Sequence, residues 1–68
     1  MKRYFIKDYR GEKEVLTAND VYNYLANGNQ CVTDIPEEAF SAETVEDMAM
    51  AFMDHYDGIR LEIEEDEQ

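Results

Sequence analysis

The 68-residue sequence contains one cysteine, one proline, one histidine, three glycines and no tryptophan. A single cysteine excludes an internal disulfide framework and favours a reducing compartment, for which the cytoplasm is the default. No basic start is followed by an apolar run and a cleavage site, so we expect no signal peptide. Every apolar run is far shorter than the roughly 20 residues that a membrane-spanning helix needs.

Positive charge is scarce. Six lysines and arginines stand against 17 aspartates and glutamates, which gives a net charge of −11. The cations are also unevenly placed, because Arg60 is the only one that follows Lys13. A field of this sign repels nucleic acids and anionic membranes and attracts cationic surfaces. We therefore expect neither direct nucleic-acid binding nor membrane binding.

Motifs for catalysis and cofactor binding are missing as well. No dyad or triad can be assembled by inspection around His55, the only histidine, which we expect to be a surface imidazole. Cys31 lacks the second cysteine or nearby histidine that a nucleophile or zinc ligand needs, so we expect a partly buried, inert thiol. The glycines are isolated and form no phosphate-binding loop. We expect neither an enzyme nor a cofactor.

One segment has the length of a calcium-binding loop, with Asp54 at its first position and Glu65 at its twelfth. Tyr56 and Gly58 stand at the third and fifth positions, where such a loop needs carboxylate or amide oxygens. The alternation of ligands therefore fails, and we expect no specific metal site.

The sequence does contain a strong amphipathic pattern, which predicts one helix over residues 41–58, capped by Ser41 and ended by Gly58. Its apolar face repeats with the spacing of a buried helical stripe and comprises Val45, Met48, Ala49, Phe52, Met53 and Tyr56. Its opposite face comprises Glu43, Glu46, Asp47, Met50, Asp54 and Asp57.

Strand patterns lie at both ends of the chain. Residues 2–7 mix aromatic and β-branched residues with charged ones, and a turn with positive φ at Gly11 leads into a short return strand at 14–16. Residues 59–64 alternate strictly between apolar and polar side chains. Opposite charges on the outer faces of the first and last strands favour their pairing. Residues 65–68 are expected to be an acidic, frayed tail.

Two shorter helical segments are expected between these strands. Thr17 is a good N-cap, and the helix that follows is predicted to end near Gly28 in a left-handed conformation. Residues 36–40 favour one helical turn with Phe40 turned inward. Residues 31–33 suit either a brief strand or an extended linker. The order β(β)ααβ over residues 1–64 predicts a single α+β domain, with helices on one face of a two- or three-stranded sheet.

The carboxylate face of the long helix suggests a function. No lysine or arginine is available for the ion pairs of an ordinary surface helix, and Met50 is an apolar residue within the acidic ridge. This pattern predicts a non-enzymatic protein-interaction domain that binds a basic partner surface. Nucleic-acid mimicry, with inhibition of a nucleic-acid-binding protein, is a narrower form of the hypothesis. The expected binding residues are Glu43, Glu46, Asp47, Met50, Asp54 and Asp57.

A second interpretation is that the acidic face is only a solvated surface and that the chain is a small homodimeric structural domain. The dimer would form through an exposed strand edge or through Tyr9, Tyr22 and Tyr24. Salt distinguishes the two interpretations, because a complex with a basic partner weakens steeply with ionic strength and an apolar dimer does not.

Overall fold

The computed structural model describes residues 1–65, which form a three-stranded antiparallel sheet with helices packed on one face. The elements in chain order are β1 (Lys2–Asp8), β2 (Gly11–Val15), α1 (Ala18–Ala26), a 3-10 helix (Glu37–Ser41), α2 (Val45–His55) and β3 (Arg60–Glu65). The predicted α+β class and the order β(β)ααβ are confirmed.

The sheet has the order β2-β1-β3, so the first strand lies in the centre. β1 pairs antiparallel with β2 through a turn in which Gly11 has the expected positive φ of 121°. β1 also pairs antiparallel with β3, where Tyr4 lies opposite Ile63 and Lys7 opposite Arg60. The predicted pairing of the first and last strands is therefore correct.

The core lies between one face of the sheet and the two α-helices. The sheet contributes Ile6 and Val15, and Phe52 of α2 is completely buried among them. The helices contribute Val21, Leu25, Val45, Met48 and Ala49. Phe5 lies on the other face of the sheet, outside this cluster, where the guanidinium of Arg3 stacks 5.1 Å from its ring centre. This second face thus buries an aromatic ring under charged side chains.

The start of α1 follows the sequence signal. Thr17 Oγ1 accepts a hydrogen bond from the amide of Asp20 at 3.2 Å, and the Asp20 carboxylate accepts one from the Thr17 amide at 3.0 Å. This reciprocal pair is a capping box. The end of α1 differs from the prediction, because Gly28 does not have a positive φ. Instead the guanidinium of Arg10 lies so close to Gly28 that a Cβ there would meet Nη1 at 2.6 Å.

The long helix is shorter than predicted, because α2 spans 11 residues rather than residues 41–58. Thr44 is its N-cap and accepts a hydrogen bond from the amide of Asp47 at 3.1 Å. The predicted cap, Ser41, ends the 3-10 helix instead and donates its hydroxyl to the carbonyl of Glu38. At the other end, Tyr56 is extended, and the positive φ of Gly58 belongs to the turn before β3.

The 3-10 helix corrects a second prediction. Phe40 was expected to turn inward, but 70% of it is exposed, and Ala39 is buried in its place. The reason is the period of three residues per turn, which places residues three apart on the same side of such a helix. Pro36 and Ala39 are both buried, and Phe40 therefore points to solvent.

The remaining predictions concern irregular segments. Residues 31–33 form a linker rather than a strand, and Cys31 is exposed rather than partly buried. β2 begins at Gly11, three residues before the predicted return strand. β3 continues to Glu65, and the other residues of the predicted acidic tail, 66–68, lie outside the described residues.

Candidate interaction surface

The outer face of α2 presents three of the six predicted binding residues. Asp47, Met50 and Asp54 are spaced three and four residues apart, so they share one side of the helix. All three are exposed, and 51% of Met50 faces solvent. An apolar, flexible side chain therefore stands between two carboxylates on the side of α2 that faces away from the core.

Glu46 occupies the margin of the same helix. Its side chain is half-buried, and Oε1 accepts a hydrogen bond from the hydroxyl of Tyr4 on β1 at 3.3 Å. This bond connects α2 to the sheet. Glu46 thus has a structural partner within the chain.

Glu43 and Asp57 are exposed but do not belong to the helix. Glu43 lies in the link between the 3-10 helix and α2, and Asp57 lies in the turn before β3. Both were assigned to the acidic face because the helix was predicted to be longer. The structure therefore places these two carboxylates beyond the ends of α2 and not on its outer face.

The 3-10 helix adds residues that the sequence interpretation missed. Glu38 and Ser41 line an open cleft of about 280 Å³ together with Asp47, Met50 and Asp54 of α2. Glu38 and Ser41 also border a neighbouring concavity lined by Glu37 and the exposed ring of Phe40. We call the combined surface, formed by Glu37, Glu38, Phe40, Asp47, Met50 and Asp54, the acidic surface.

Three of the five cations of the N-terminal hairpin form ion pairs with carboxylates elsewhere. Arg3 Nε lies 3.1 Å from Glu14, Lys7 Nζ lies 3.0 Å from Glu62, and Arg10 Nη2 lies 2.6 Å from Asp8. Within residues 1–65, no lysine or arginine forms an ion pair with a carboxylate of the acidic surface. The negative charge of this surface is therefore not neutralised by these parts of the chain.

One imidazole does approach the acidic surface. His55 Nε2 lies 3.4 Å from Glu38 Oε2, and both side chains are more than half exposed. The pKa of Glu38 lies below its ordinary value of 4.5, because the carboxylate accepts hydrogen bonds from its own backbone amide and from His55. This contact joins the end of α2 to the 3-10 helix. Neither Asp47 nor Asp54 has an ion-pair partner among residues 1–65.

The tyrosines considered for a dimer interface differ in their surroundings. Tyr9 is exposed, whereas Tyr22 and Tyr24 are half-buried against the core. The ring of Tyr24 is covered by the guanidinium of Arg10 at 3.8 Å, and its hydroxyl donates to Asp8 at 3.1 Å. Tyr24 is thus held by contacts within the chain.

Other kinds of site have no residues arranged for them in the described part of the chain. Residues 1–65 contain no group of three or more histidine, cysteine, aspartate or glutamate side chains placed to hold a metal ion. No helix among them has the length and apolar character to cross a bilayer. Cys31 borders a small, mainly apolar cavity of about 130 Å³ that Val32, Tyr56 and Ile59 also line.

Comparisons with protein-family models, with curated proteins and with solved structures find no match to this chain. Its function is therefore inferred from the geometry and charge of its own residues.

Proposed function

We propose that this chain is a non-enzymatic protein-interaction domain whose acidic surface binds a basic partner protein. One observation carries the proposal: Met50 is exposed between Asp47 and Asp54, and no cation of residues 1–65 pairs with either carboxylate. Flexible apolar side chains such as methionine suit contact surfaces, and carboxylates around them select a cationic partner.

Asp54 supports this interpretation more strongly than Asp47 does. Asp47 lies in the first turn of α2, where a negative charge stabilises the positive end of the helix dipole. Asp54 lies in the last turn, where the same dipole disfavours a carboxylate. A stabilising role within the helix therefore accounts for Asp47 but not for Asp54, and binding gives Asp54 a role.

Phe40 extends the same surface. A phenylalanine that is 70% exposed costs solubility without adding to the core, and its neighbours Glu37 and Glu38 repeat the combination of apolar and acidic groups seen around Met50. Interfaces are enriched in aromatic residues and methionine. We propose that Phe40 and Met50 are the apolar anchors and that the carboxylates orient the basic partner.

Nucleic-acid mimicry is the narrower form of the proposal. Asp47 and Asp54 are separated by about 10 Å along α2, given a rise of about 1.5 Å per residue. Duplex DNA carries one charge per about 1.7 Å of its axis, so α2 alone is a sparser array. Mimicry requires Glu37 and Glu38 to contribute as well. It also requires that DNA or RNA compete with this chain for the partner.

A charge reversal on α2 tests the proposal. The variant Asp47→Lys/Asp54→Lys is compared with Glu43→Lys/Asp57→Lys, which changes the net charge equally at exposed positions outside the acidic surface. We expect the first variant to bind an immobilised arginine- and lysine-rich protein about tenfold more weakly, and the second to retain most of its affinity. Equal losses would reduce the effect to net charge and contradict the proposal.

Two further measurements complete this test. Far-ultraviolet circular dichroism establishes that both variants keep their helices, which exposed substitutions are expected to do. Titration of the complex with salt and with duplex DNA then distinguishes a general basic partner from a nucleic-acid-binding one.

We also propose the cytoplasm as the location, because the single exposed cysteine suits a reducing compartment.

A further inference from the structure

β3 is an edge strand whose outer side is open. It pairs with β1 on one side, and within residues 1–65 no backbone group of β3 bonds to any other element. Most of the strand is exposed, and Ile63 shows 45% of its surface to solvent although it is apolar. An edge of this kind is a template for another strand.

We propose that β3 pairs antiparallel with β3 of a second copy of this chain, about a two-fold axis perpendicular to the sheet at Glu62. In this register Arg60 lies opposite Glu64 of the second copy, and Leu61 lies opposite its Ile63. Opposite residues of antiparallel strands share a face, so each of these pairs is in contact. The interface contains every such pair twice, as a two-fold axis requires.

The charge of Arg60 is the first argument for this register. Arg60 lies directly opposite Lys7 of β1, so two positive charges are neighbours within the chain. Lys7 is paired with Glu62 and Glu12, whereas Arg60 has no ion pair among residues 1–65. A carboxylate from a second copy at the position of Glu64 relieves the unfavourable contact between Lys7 and Arg60.

The apolar residues are the second argument. Leu61 and Ile63 lie on the face of the sheet that carries the helices, and neither is fully buried in the single chain. The proposed pairing places Leu61 opposite Ile63 of the second copy, and Ile63 opposite Leu61 of the second copy. Both contacts remove apolar surface from water on that face. On the opposite face the two copies of Glu62 meet, and each is already bonded to Lys7 at 3.0 Å.

Other pairings of the sheet edges are less favourable. Antiparallel self-pairing of β2 places Lys13 opposite Lys13 and Glu12 opposite Glu14, so every charged pair is repulsive. Moving the two-fold axis of the β3 pairing from Glu62 to Ile63 places Glu62 opposite Glu64 twice. Moving the axis to Leu61 draws the turn at Gly58 into the ladder. The charged pairs therefore favour β3 over β2. Repulsion between Glu62 and Glu64 disfavours one neighbouring register of β3, and the turn at Gly58 disfavours the other.

The resulting dimer has a continuous six-stranded sheet in the order β2-β1-β3-β3-β1-β2. Because the axis is perpendicular to the sheet, the helices of both copies lie on the same side. The two acidic surfaces thus belong to one side of the dimer, although the pairing itself does not depend on what they bind.

Cross-linking tests the register directly, in a Cys31→Ser background that removes the native thiol. Glu62→Cys places two thiols opposite each other at the axis, with Cα atoms about 4.5–5.5 Å apart, a separation that a disulfide accepts. Glu64→Cys places its two thiols roughly 13 Å apart along the strands, beyond disulfide reach. We expect mild oxidation to cross-link the first variant and to leave the second largely monomeric. Equal cross-linking of both, or of neither, would overturn the register.

A charge exchange tests the contact between Arg60 and Glu64. We expect Arg60→Glu to weaken self-association about tenfold in sedimentation velocity over a concentration series, and Arg60→Glu/Glu64→Arg to restore it. A wild-type chain that sediments as a monomer at every concentration contradicts the proposal, as does a dimer that Arg60→Glu leaves unchanged. Asp47→Lys/Asp54→Lys is expected to keep the dimer, so loss of partner binding and loss of self-association are separate results.

Discussion

The guanidinium of Arg10 and the carboxylate of Asp8 form an ion pair at the end of the β1–β2 hairpin, with 2.6 Å between Nη2 and Oδ2. Only 1% of the Asp8 side chain is exposed. Asp8 also accepts hydrogen bonds from the hydroxyl of Tyr24 and the side-chain amide of Asn29. Arg10 in turn donates to the carbonyl of Tyr24 at 2.8 Å. This cluster ties the hairpin to the end of α1.

Replacing Asp8 removes the acceptor on which this cluster depends. We expect Asp8→Ala to lower the free energy of unfolding by about 3 kcal/mol, because Arg10 and Asn29 lose a partner where little water reaches them. Urea unfolding followed by circular dichroism measures the change. Asp54→Ala is the control, since Asp54 is exposed and its removal is expected to cost less than about 0.5 kcal/mol. Similar losses in the two variants would show that the cluster is not stabilising.

Acid is expected to weaken the same cluster. Burial alone would raise the pKa of Asp8, but hydrogen bonds from Arg10 and Tyr24 outweigh it and hold the pKa below the ordinary value of 3.8. A carboxyl whose pKa is lower in the folded state stabilises the fold above its ordinary pKa, and this contribution is lost as the pH falls through the folded value. We therefore expect the difference in unfolding free energy between wild type and Asp8→Asn to shrink in acid. A difference that stays constant with pH would contradict this assignment.

Gly28 is expected to resist substitution because of its neighbour and not because of its backbone. A Cβ at this position would meet Arg10 Nη1 at 2.6 Å and the carbonyl of Tyr24 at 3.0 Å. We expect Gly28→Ala to cost about 1–3 kcal/mol, as overpacking does. In an Arg10→Ala background the same substitution should cost less, because the closer obstacle is gone. Thermal unfolding of the four proteins of this double-mutant cycle gives the coupling, and additive costs would argue against the contact.

Phe52 is expected to be the most sensitive position of α2. It is completely buried, and Phe52→Ala should cost about 3–5 kcal/mol, which is comparable with the total stability of a domain of this size. Phe52→Leu keeps most of the volume and should cost about 1 kcal/mol, so it gives a measurable folded variant. Met50→Ala on the exposed side of the same helix should leave the melting temperature nearly unchanged. A melting temperature for Phe52→Leu equal to that of Met50→Ala would exclude the central role of Phe52.

The elements that were predicted well depend on local or strictly periodic signals. Thr17 and Asp20 form their capping box from residues three apart, so the sequence alone identifies the start of α1. The apolar stripe of α2 identified Phe52 as buried and Met50 as exposed for the same kind of reason. The complementary charges of β1 and β3 were enough to place these strands together.

The errors arose where two local signals competed. Ser41 and Thr44 are both good caps, and the choice between them depends on where the preceding 3-10 helix ends. A signal was present, because an aspartate follows Thr44 after three residues in the same way that Asp20 follows Thr17. Because the predicted helix began too early, Glu43 was assigned to it. Because the predicted helix also ended too late, Asp57 was assigned to it as well.

The remaining misses depend on contacts between distant parts of the chain. A larger residue at position 28 would collide with Arg10, which approaches from the hairpin. Nothing in the sequence around Gly28 indicates that approach. Phe40 was placed inside because large apolar residues are usually buried, yet the three-residue period of its helix gives the inner position to Ala39. Only the structure therefore shows that Phe40 is exposed and belongs to the acidic surface.

The central position of β1 has a consequence for the synthesis of the protein. β1 and β2 are adjacent in the chain and are able to pair soon after both leave the ribosome, whereas β3 is translated long after them. Until residues 60–65 emerge, one side of β1 has no partner, and the nascent chain carries an open strand edge. Slow translation between β2 and β3 would prolong this stage and favour capture by chaperones or contact between nascent chains.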